Sequence, residues 1–236
     1  MADTDGYTKL EDFRYERKYT NDLLDYAQVE QILKLHPAGF SEIFYERYIN
    51  NVYFDTSRFD FYYDNVDGKK ERVKYRIRWY GDLFGKIEKP ILELKIKDSN
   101  VGIKKSYFLK EFEFTKDFDL KDFVEIMKNS DLPEQVLLSI QNLQPALINR
   151  YRRKYFINYS REFRITIDKE IAFFDALKWN TSSRYSVLDE QNIVIELKYE
   201  KELNDKATEI SNHLPFRLTK NSKYATGVEK FNYLID

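Results

Sequence analysis

From Arg72 to Tyr80 the chain reads RVKYRIRWY, in which Lys74, Arg76 and Arg78 alternate with Val73, Tyr75, Ile77 and Trp79. Successive side chains of a strand point to opposite faces, so this period of two predicts a β-strand with one cationic and one apolar face. The pattern recurs in FRYERKY from Phe13, where Arg14, Glu16 and Lys18 share a face, and in PILELKIK from Pro90, where Glu93, Lys95 and Lys97 oppose Leu92, Leu94 and Ile96. In REFRITID from Arg161, Glu162, Arg164, Thr166 and Asp168 oppose Phe163, Ile165 and Ile167, and in IVIELKY Glu196 and Lys198 oppose Ile195, Leu197 and Tyr199. ERYINNVYFDT from Glu46, KKSYFLKEFEF from Lys104 and NRYRRKYFINY from Asn149 bring the number of strands to about eight, all rich in aromatic and β-branched residues.

Between these runs the apolar spacing lengthens to that of a helix. Asp22 can cap LLDYAQVEQILKLH, which ends with His36 before Pro37; DLKDFVEIMKN, LPEQVLLSIQNL and LNDKATEISNHL follow, and SKYATGVEKFNYLI can be capped by Ser222. The stretches DNVDGKK from Asp64 and Asp98-Ser99-Asn100 read as turns. Neither a low-complexity linker nor a repeat of fixed period interrupts the chain, so the expectation is one domain built on an antiparallel sheet.

The charged faces admit two arrangements. An open sheet would pack its apolar face on helices and leave the charged face in water. Eight strands could instead close into a barrel with the helices outside and the charges inside. A cation-rich interior repels itself, so it persists only if it stays wet or receives a polyanion. Periodicity alone leaves both open.

Composition narrows the chemistry. The 236 residues include 39 basic and 40 acidic ones, for a net charge of -1, so an anionic partner must be drawn by local clusters rather than by global excess. The absence of cysteine removes disulfides and thiolate zinc sites and suits a cytoplasmic setting. The acidic start MADTDGYTKLEDF is no signal peptide, and no run approaches the ~20 apolar residues of a membrane span. Two histidines, His36 and His213, give little material for a Ser-His-acid triad or a histidine zinc site and are assigned to surface or capping positions. The seven glycines form neither a Walker A sequence nor a Rossmann fingerprint. Tyr15, Tyr53, Phe54, Tyr75 and Trp79 are assigned to the sheet core.

The segments RYERKY, NNVYFDT, KYRIRWYG, LELKIK, NRYRRKYF, FRITID, IVIELKY and NSKYATGV, in this order, resemble the VTC polyphosphate polymerase domain from about Phe13 to Val228. That domain belongs to the triphosphate tunnel metalloenzymes, which are CYTH-like. The resemblance implies an α+β fold: an antiparallel eight-stranded β tunnel or barrel with a charged interior and helices packed outside. It implies one such domain over residues 1–236, with residues 1–12 as a flexible N-terminus. It further implies metal-dependent transfer of the γ-phosphate of ATP onto a growing polyphosphate chain. Phosphoryl transfer asks mainly for positioning and charge neutralisation, which convergent arginines, lysines and a carboxylate-held divalent ion can supply. On the family's pattern, Lys18, Arg76, Arg78, Lys95, Arg153 and Arg164 are both catalytic and phosphate-binding, and Lys220 and Lys223 hold phosphates. Lys198, two residues beyond Glu196, adds a cation on the same face. Glu196 resembles the family's metal-binding glutamate, for Mn²⁺ or Mg²⁺, and Glu16 and Glu93 are further candidate ligands. Glu16, Glu93 and Asp168 can equally be ion-pair partners that hold a lysine or arginine in place.

One departure stands out. The related triphosphatase branch opens with E-x-E-x-K, whereas this chain has Arg14-x-Glu16-x-Lys18, which fits the polymerase branch better. The chain is expected to act as a stand-alone bacterial-type catalytic domain. Its expected partners are ATP and inorganic polyphosphate or triphosphate, with no sequence-specific nucleic acid and no membrane segment of its own. A tunnel-fold triphosphatase and a non-catalytic polyphosphate- or nucleic-acid-binding module are the alternatives.

Overall fold

The computed structural model describes residues 14–98, 101–177 and 186–231; the terminus expected to be flexible over residues 1–12 lies outside them, as do residues 99–100 of the expected turn. The first half of the chain contains β1 (Arg14–Asn21), α1 (Tyr26–Lys34), β2 (Ser41–Asp55), α2 (Asp60–Val66), β3 (Glu71–Tyr80), β4 (Gly85–Ile87), β5 (Ile91–Asp98), β6 (Val101–Phe108) and β7 (Phe112–Phe114). There follow α3 (Leu120–Asn129), α4 (Glu134–Ile140), β8 (Gln144–Ile157), β9 (Arg164–Asp175), β10 (Ser186–Asp189), β11 (Ile193–Glu200), α5 (Asn204–Asn212), β12 (Arg217–Leu218) and α6 (Lys223–Lys230). The α+β expectation holds: six helices accompany a large antiparallel sheet among the described residues.

The eight long strands do form one curled sheet, in the order β1-β11-β9-β8-β2-β3-β5-β6, but it does not close into the expected barrel. β12 adds to the free edge of β1, β10 pairs with β9, and β4 and β7 form a separate two-stranded sheet. The physical reason lies at the edge of β1. That edge already bonds β12 through Tyr19 and Thr20, and the Thr219 N–H donates to the Lys18 carbonyl at 2.8 Å, so β6 finds no ladder to complete. Side chains span the gap instead. Lys95 of β5 reaches Glu16 of β1 at 2.9 Å, Lys18 donates to the Asn221 carbonyl at 3.1 Å, and Lys74 of β3 donates to Ser222 Oγ at 2.8 Å.

The strands' apolar faces point outward and are covered as the alternation predicts. Over β2, β3, β5 and β6, Val52, Phe54, Tyr75, Ile77, Trp79 and Leu92 pack on Phe112 and Phe114 of β7, Phe123 and Met127 of α3 and Val136 of α4. Over β1, β9 and β11, Tyr19, Ile165, Ile167, Ile195 and Leu197 meet Val29 and Leu33 of α1 and Ala207 and Ile210 of α5. Two details of this layer correct the sequence reading. The cap of α1 lies three residues beyond the expected one, because Asp25 rather than Asp22 forms a capping box with Gln28. His36 is buried, not superficial: its Nδ1 accepts from the Ala38 N–H at 3.0 Å and its Nε2 meets the Ile210 carbonyl at 3.1 Å, bonds that tie α1 to α5.

The helices are not all outside. α2 and α6 pack against the concave side of the sheet, where Tyr62, Tyr224, Ala225 and Val228 join Ile49, Tyr53, Leu147, Tyr151 and Phe173 in a third core. α2 escaped the sequence reading because its cap is distant and its aromatics read as strand formers. Phe59 adopts φ 59°, and the Asp55 carboxylate, at the end of β2, accepts from the Phe61 and Tyr62 N–H groups. The same carboxylate accepts from the Tyr224 hydroxyl at 2.5 Å, which fastens α6 to α2. Ser222 caps α6 as expected, its Oγ accepting from the Ala225 N–H.

Phe173 reaches the concave side through a bulge. At Glu170, φ 51°, the pairing of β9 with β8 slips, so Thr166 and Asp168 face inward before it, and Phe173 after it packs under α6. Gly227 of α6 sits so close to this surface that a Cβ there would lie 2.3 Å from Leu147 Cδ2 and 2.6 Å from Phe173 Cδ1. Gly227→Ala should therefore cost about 1–3 kcal/mol in urea unfolding, the range for overpacking a filled core. A variant as stable as the parent would show that α6 is loosely seated.

Candidate functional site

The inward face of the curled sheet is charged, and three buried carboxylates organise it. On β5, Glu93 accepts from Arg76 Nε at 2.7 Å and Nη2 at 2.6 Å, lies 3.6 Å from Arg78 Nη1, and takes Lys104 of β6 at 3.3 Å. The strand registers cause this convergence, since Arg76 is opposite Glu93 and Glu93 is opposite Ser106, two residues from Lys104. On β9, Asp168 receives Arg153 of β8 through two bonds, Nε at 2.5 Å and Nη2 at 2.6 Å, and Lys223 of α6 at 2.5 Å. On β11, Glu196 lies 3.2 Å from Lys198, 3.3 Å from Arg153, 3.5 Å from Lys18 and 3.9 Å from Lys223.

Burial alone would push these carboxyl groups up, but the cations around them win. Arg76, Arg78 and Lys104 hold Glu93 far below the usual carboxylate range; Lys198, Lys18, Arg153 and Lys223 do the same for Glu196, and Arg153 and Lys223 lower Asp168. All three are anions at neutral pH. Even so, Lys18, Arg76, Arg78, Lys95, Lys104, Arg153, Lys198 and Lys223 outnumber Glu16, Glu93, Asp168 and Glu196, so the surface carries a positive excess suited to a polyanion.

Neutral groups complete the scaffold. Arg78 donates to Asn51 Oδ1 at 3.0 Å and to the Tyr151 hydroxyl at 3.4 Å, while Asn51 donates to Asn149 at 2.8 Å. Arg76 donates to the Tyr53 hydroxyl at 3.3 Å, and Tyr53 stacks on Tyr224 with centroids 5.2 Å apart. These bonds orient the two guanidinium forks before any ligand arrives.

Most of the residues expected on sequence grounds meet here: Lys18, Arg76, Arg78, Lys95, Arg153, Lys198 and Lys223, with Glu16, Glu93 and Glu196. Two stand apart. Arg164 lies on the inward face beyond Thr166 but is exposed at the start of β9, and Lys220 is exposed just before α6; neither makes an ion pair among the described residues. The sequence reading passed over Lys104, Tyr53 and Tyr151 as site residues. Counting in steps of two from Lys104 along KKSYFLKEFEF, and pairing it with Lys95 across the turn, would have found the first; the tyrosines carried no signal beyond strand preference. Tyr53 is core, as assigned, yet its hydroxyl reaches the charged surface.

Among the described residues no three acidic or histidine side chains gather into a cage for a metal ion. Glu16 and Glu196 nevertheless form a pair, since Lys18 and Lys198 each lie within 3.9 Å of both. Thr166, opposite Glu196 in the register, has a buried hydroxyl with no partner. Two ionised carboxylates and a hydroxyl are hard oxygen donors and fit Mg²⁺ or Mn²⁺ whose remaining positions are filled by phosphate oxygens and water. Glu93, engaged by three cations, stands outside that pair.

A curled antiparallel sheet with rims bridged by side-chain bonds and a cation-rich hollow defines a tunnel-type fold. The chain belongs to the VTC domain family, whose model matches residues 13–232. No curated protein matches it in sequence. Among solved structures it is similar to the PH1819 protein from Pyrococcus horikoshii OT3, with 15% identity and a TM-score of 0.49, over 92% of this chain and 99% of that one. It is also similar to a "putative adenylate cyclase" from Vibrio parahaemolyticus, with 11% identity and a TM-score of 0.48, over 89% of this chain and 94% of that one. Both scores fall below 0.5, so the family assignment rests on the sequence match.

Two pH effects follow from the geometry. Burial raises the Glu16 carboxyl, but Lys18, Lys95 and Lys198 outweigh both burial and the neighbouring Glu196 and bring it down to about 2. A carboxyl more acidic in the folded than in the unfolded chain stabilises the fold above its ordinary value of 4.5, and that contribution is lost as the pH falls from there towards 2. Urea unfolding stepped through this window should give a shallower loss of stability in Glu16→Gln than in the parent; identical profiles would remove the Glu16–Lys95 bridge from the account.

Lys74 shows the opposite behaviour. Burial, then Lys18, Lys95, Arg72 and Arg76, pull its ammonium down to about 6, so at pH 7 it is mostly a neutral amine donating to Asn65 and Ser222. A bound phosphate would reverse the repulsion and draw a proton in. Calorimetric titration with tripolyphosphate at pH 7, in buffers of different ionisation heat, should show proton uptake that Lys74→Met abolishes.

Proposed function

We propose that this protein is a metal-dependent polyphosphate polymerase that moves the γ-phosphate of ATP onto a chain threaded through the cationic hollow. The observation that carries this reading is the preorganised array on Glu93, Asp168 and Glu196, where arginine forks and lysine ammonium groups converge from five strands and a helix. Membership of the VTC domain family supports it. Arg76, Arg78 and Arg153 offer planar forks for bidentate phosphate contacts, and Lys18, Lys95, Lys104, Lys198 and Lys223 offer compact charges that follow a repeating polyanion. Arg164 and Lys220, exposed at the ends, meet the chain where it enters or leaves.

A phosphate oxygen competes directly with the carboxylates for these cations, so ligand binding loosens internal ion pairs rather than creating a site from nothing. Glu16 and Glu196 would hold the Mg²⁺ or Mn²⁺ ion, which when bound neutralises charge on the phosphates. The arginines fix the donor and acceptor phosphates in line, and the fixed charges stabilise the oxygens on which negative charge builds up during transfer.

The decisive assay incubates the protein with ATP and Mn²⁺ or Mg²⁺ and separates long chains from orthophosphate. Long-chain product is expected. Orthophosphate alone would make the protein a tunnel-fold triphosphatase, and polyphosphate binding without turnover would make it a binding module. Glu196→Gln keeps volume and hydrogen bonding but removes a charge, so synthesis should fall by about a hundred-fold. Polyphosphate binding should persist in that variant, because the cations remain. Parental synthesis rates in Glu196→Gln at limiting Mn²⁺ would take Glu196 out of the reaction.

A further inference from the structure

The two ends of the hollow differ in chemistry. Towards the start of β3 lie Arg72 and Lys74, with Lys97 opposite Arg72 in the register, and burial, Arg72 and Lys220 lower the Lys97 ammonium, so this end is rich in basic side chains. Towards its end, two residues beyond Arg78, the inward position is taken by Tyr80, roughly 7 Å further along the strand. Tyr155 of β8 follows Arg153 on the same face, with the Arg153 guanidinium 5.9 Å from its ring centre. Phe44 of β2 is paired with Tyr155 in the register and meets it edge to face at 5.6 Å.

Arg47 sits among these rings, opposite Arg153 in the β2–β8 ladder. Its guanidinium lies 4.6 Å from the Tyr80 ring centre, 4.9 Å from Tyr155 and 5.4 Å from Phe44, and among the described residues it makes no ion pair. Two of the rings and the cation are open to solvent: Phe44 is 54% exposed, Tyr80 is 44% exposed and Arg47 is exposed, while Tyr155 is half-buried beside them. A core cluster would be covered, and a solvated arginine would take a carboxylate if charge alone placed it. An exposed π surface with a flat cation in it, continuous with Arg78 and Arg153, suits a flat, uncharged aromatic group attached to a phosphate chain.

We propose that Phe44, Arg47, Tyr80 and Tyr155 form a nucleobase platform at this end of the hollow, so that a nucleoside triphosphate binds with its phosphates on Arg78 and Arg153 and its base outside. The lysine- and arginine-rich end is then the one from which a polyphosphate chain extends. Stacking on rings and guanidinium planes tolerates any base, because every base has a π face, and the larger purines gain most contact. The platform rests on the reading of the hollow as a triphosphate site, and it specifies the substrate as a nucleotide rather than inorganic triphosphate alone.

The test compares two ligands of equal charge that differ only in the base: ATP and ribose 5-triphosphate, titrated calorimetrically into the full chain. The parent should bind ATP about ten-fold more tightly, the scale of one base stacked on an aromatic ring. Tyr80→Ala should reduce that ratio to within about two-fold, while Tyr80→Phe, which keeps the ring, should retain it. Equal affinities in the parent, or a preference that survives Tyr80→Ala, would overturn the platform while leaving the phosphate site standing. Failure of both ligands to bind would instead overturn the phosphate site and the platform with it. Circular dichroism of Tyr80→Ala checks that it folds; if it does not, loss of the preference in Arg47→Gln supports the platform and its survival there overturns it.

Discussion

Cations crowded onto one concave surface repel one another, and this fold tolerates them because each of three buried carboxylates neutralises several. Glu93 serves Arg76, Arg78 and Lys104; Asp168 serves Arg153 and Lys223; Glu196 serves Lys18, Lys198, Arg153 and Lys223. Removing an anion from such a group would leave desolvated positive charge without compensation, which is far more costly than losing a surface pair. The cations' partners are carboxylates that another anion could replace, so the contacts that neutralise the hollow also prepare it for an anion.

The inward charge depends on how the outward faces pack. Ile77, Trp79, Leu92, Ile165, Ile195 and Leu197 bury themselves under β7, α1, α3, α4 and α5, and that packing curls the sheet and turns the alternate residues towards one another. α6 works from the other side. Its glycine at 227 lets it settle on Leu147 and Phe173, Tyr224 ties it to Asp55, and its first residue, Lys223, is thereby delivered to Asp168. Stability and site geometry share these residues, so a change in the seat of α6 reaches the charged surface directly.

The open seam between β1 and β6 leaves the hollow with one wall held by side chains rather than by a backbone ladder. Backbone hydrogen bonds would lock the two edges together, whereas Lys95–Glu16, Lys18–Asn221 and Lys74–Ser222 are side-chain links that can lengthen or exchange partners. Two of these links involve the segment entering α6, so the seam adjoins that helix. A chain-like anion occupying different lengths of the hollow would meet a wall of this kind more easily than a closed ladder.

The strands, their inward and outward faces and most of the charged set were legible in the sequence, because a period of two is a local property that needs only neighbouring residues. The cap of α6 at Ser222 was legible for the same reason. The start of α1 moved to Asp25 because two acidic residues competed for one cap, and α2 was hidden because its N-terminus is satisfied by Asp55 from the preceding strand. Which carboxylate serves which cation could not be read, since it depends on register between strands far apart in the chain, as with Arg153, Asp168 and Glu196. Closure could not be read either. Whether β6 reaches β1 is decided by what already occupies the edge of β1, and Arg217, Leu218 and Thr219, some two hundred residues away in sequence, occupy it. Alternation along one strand sets where a side chain points, but only the assembled sheet sets what it meets there.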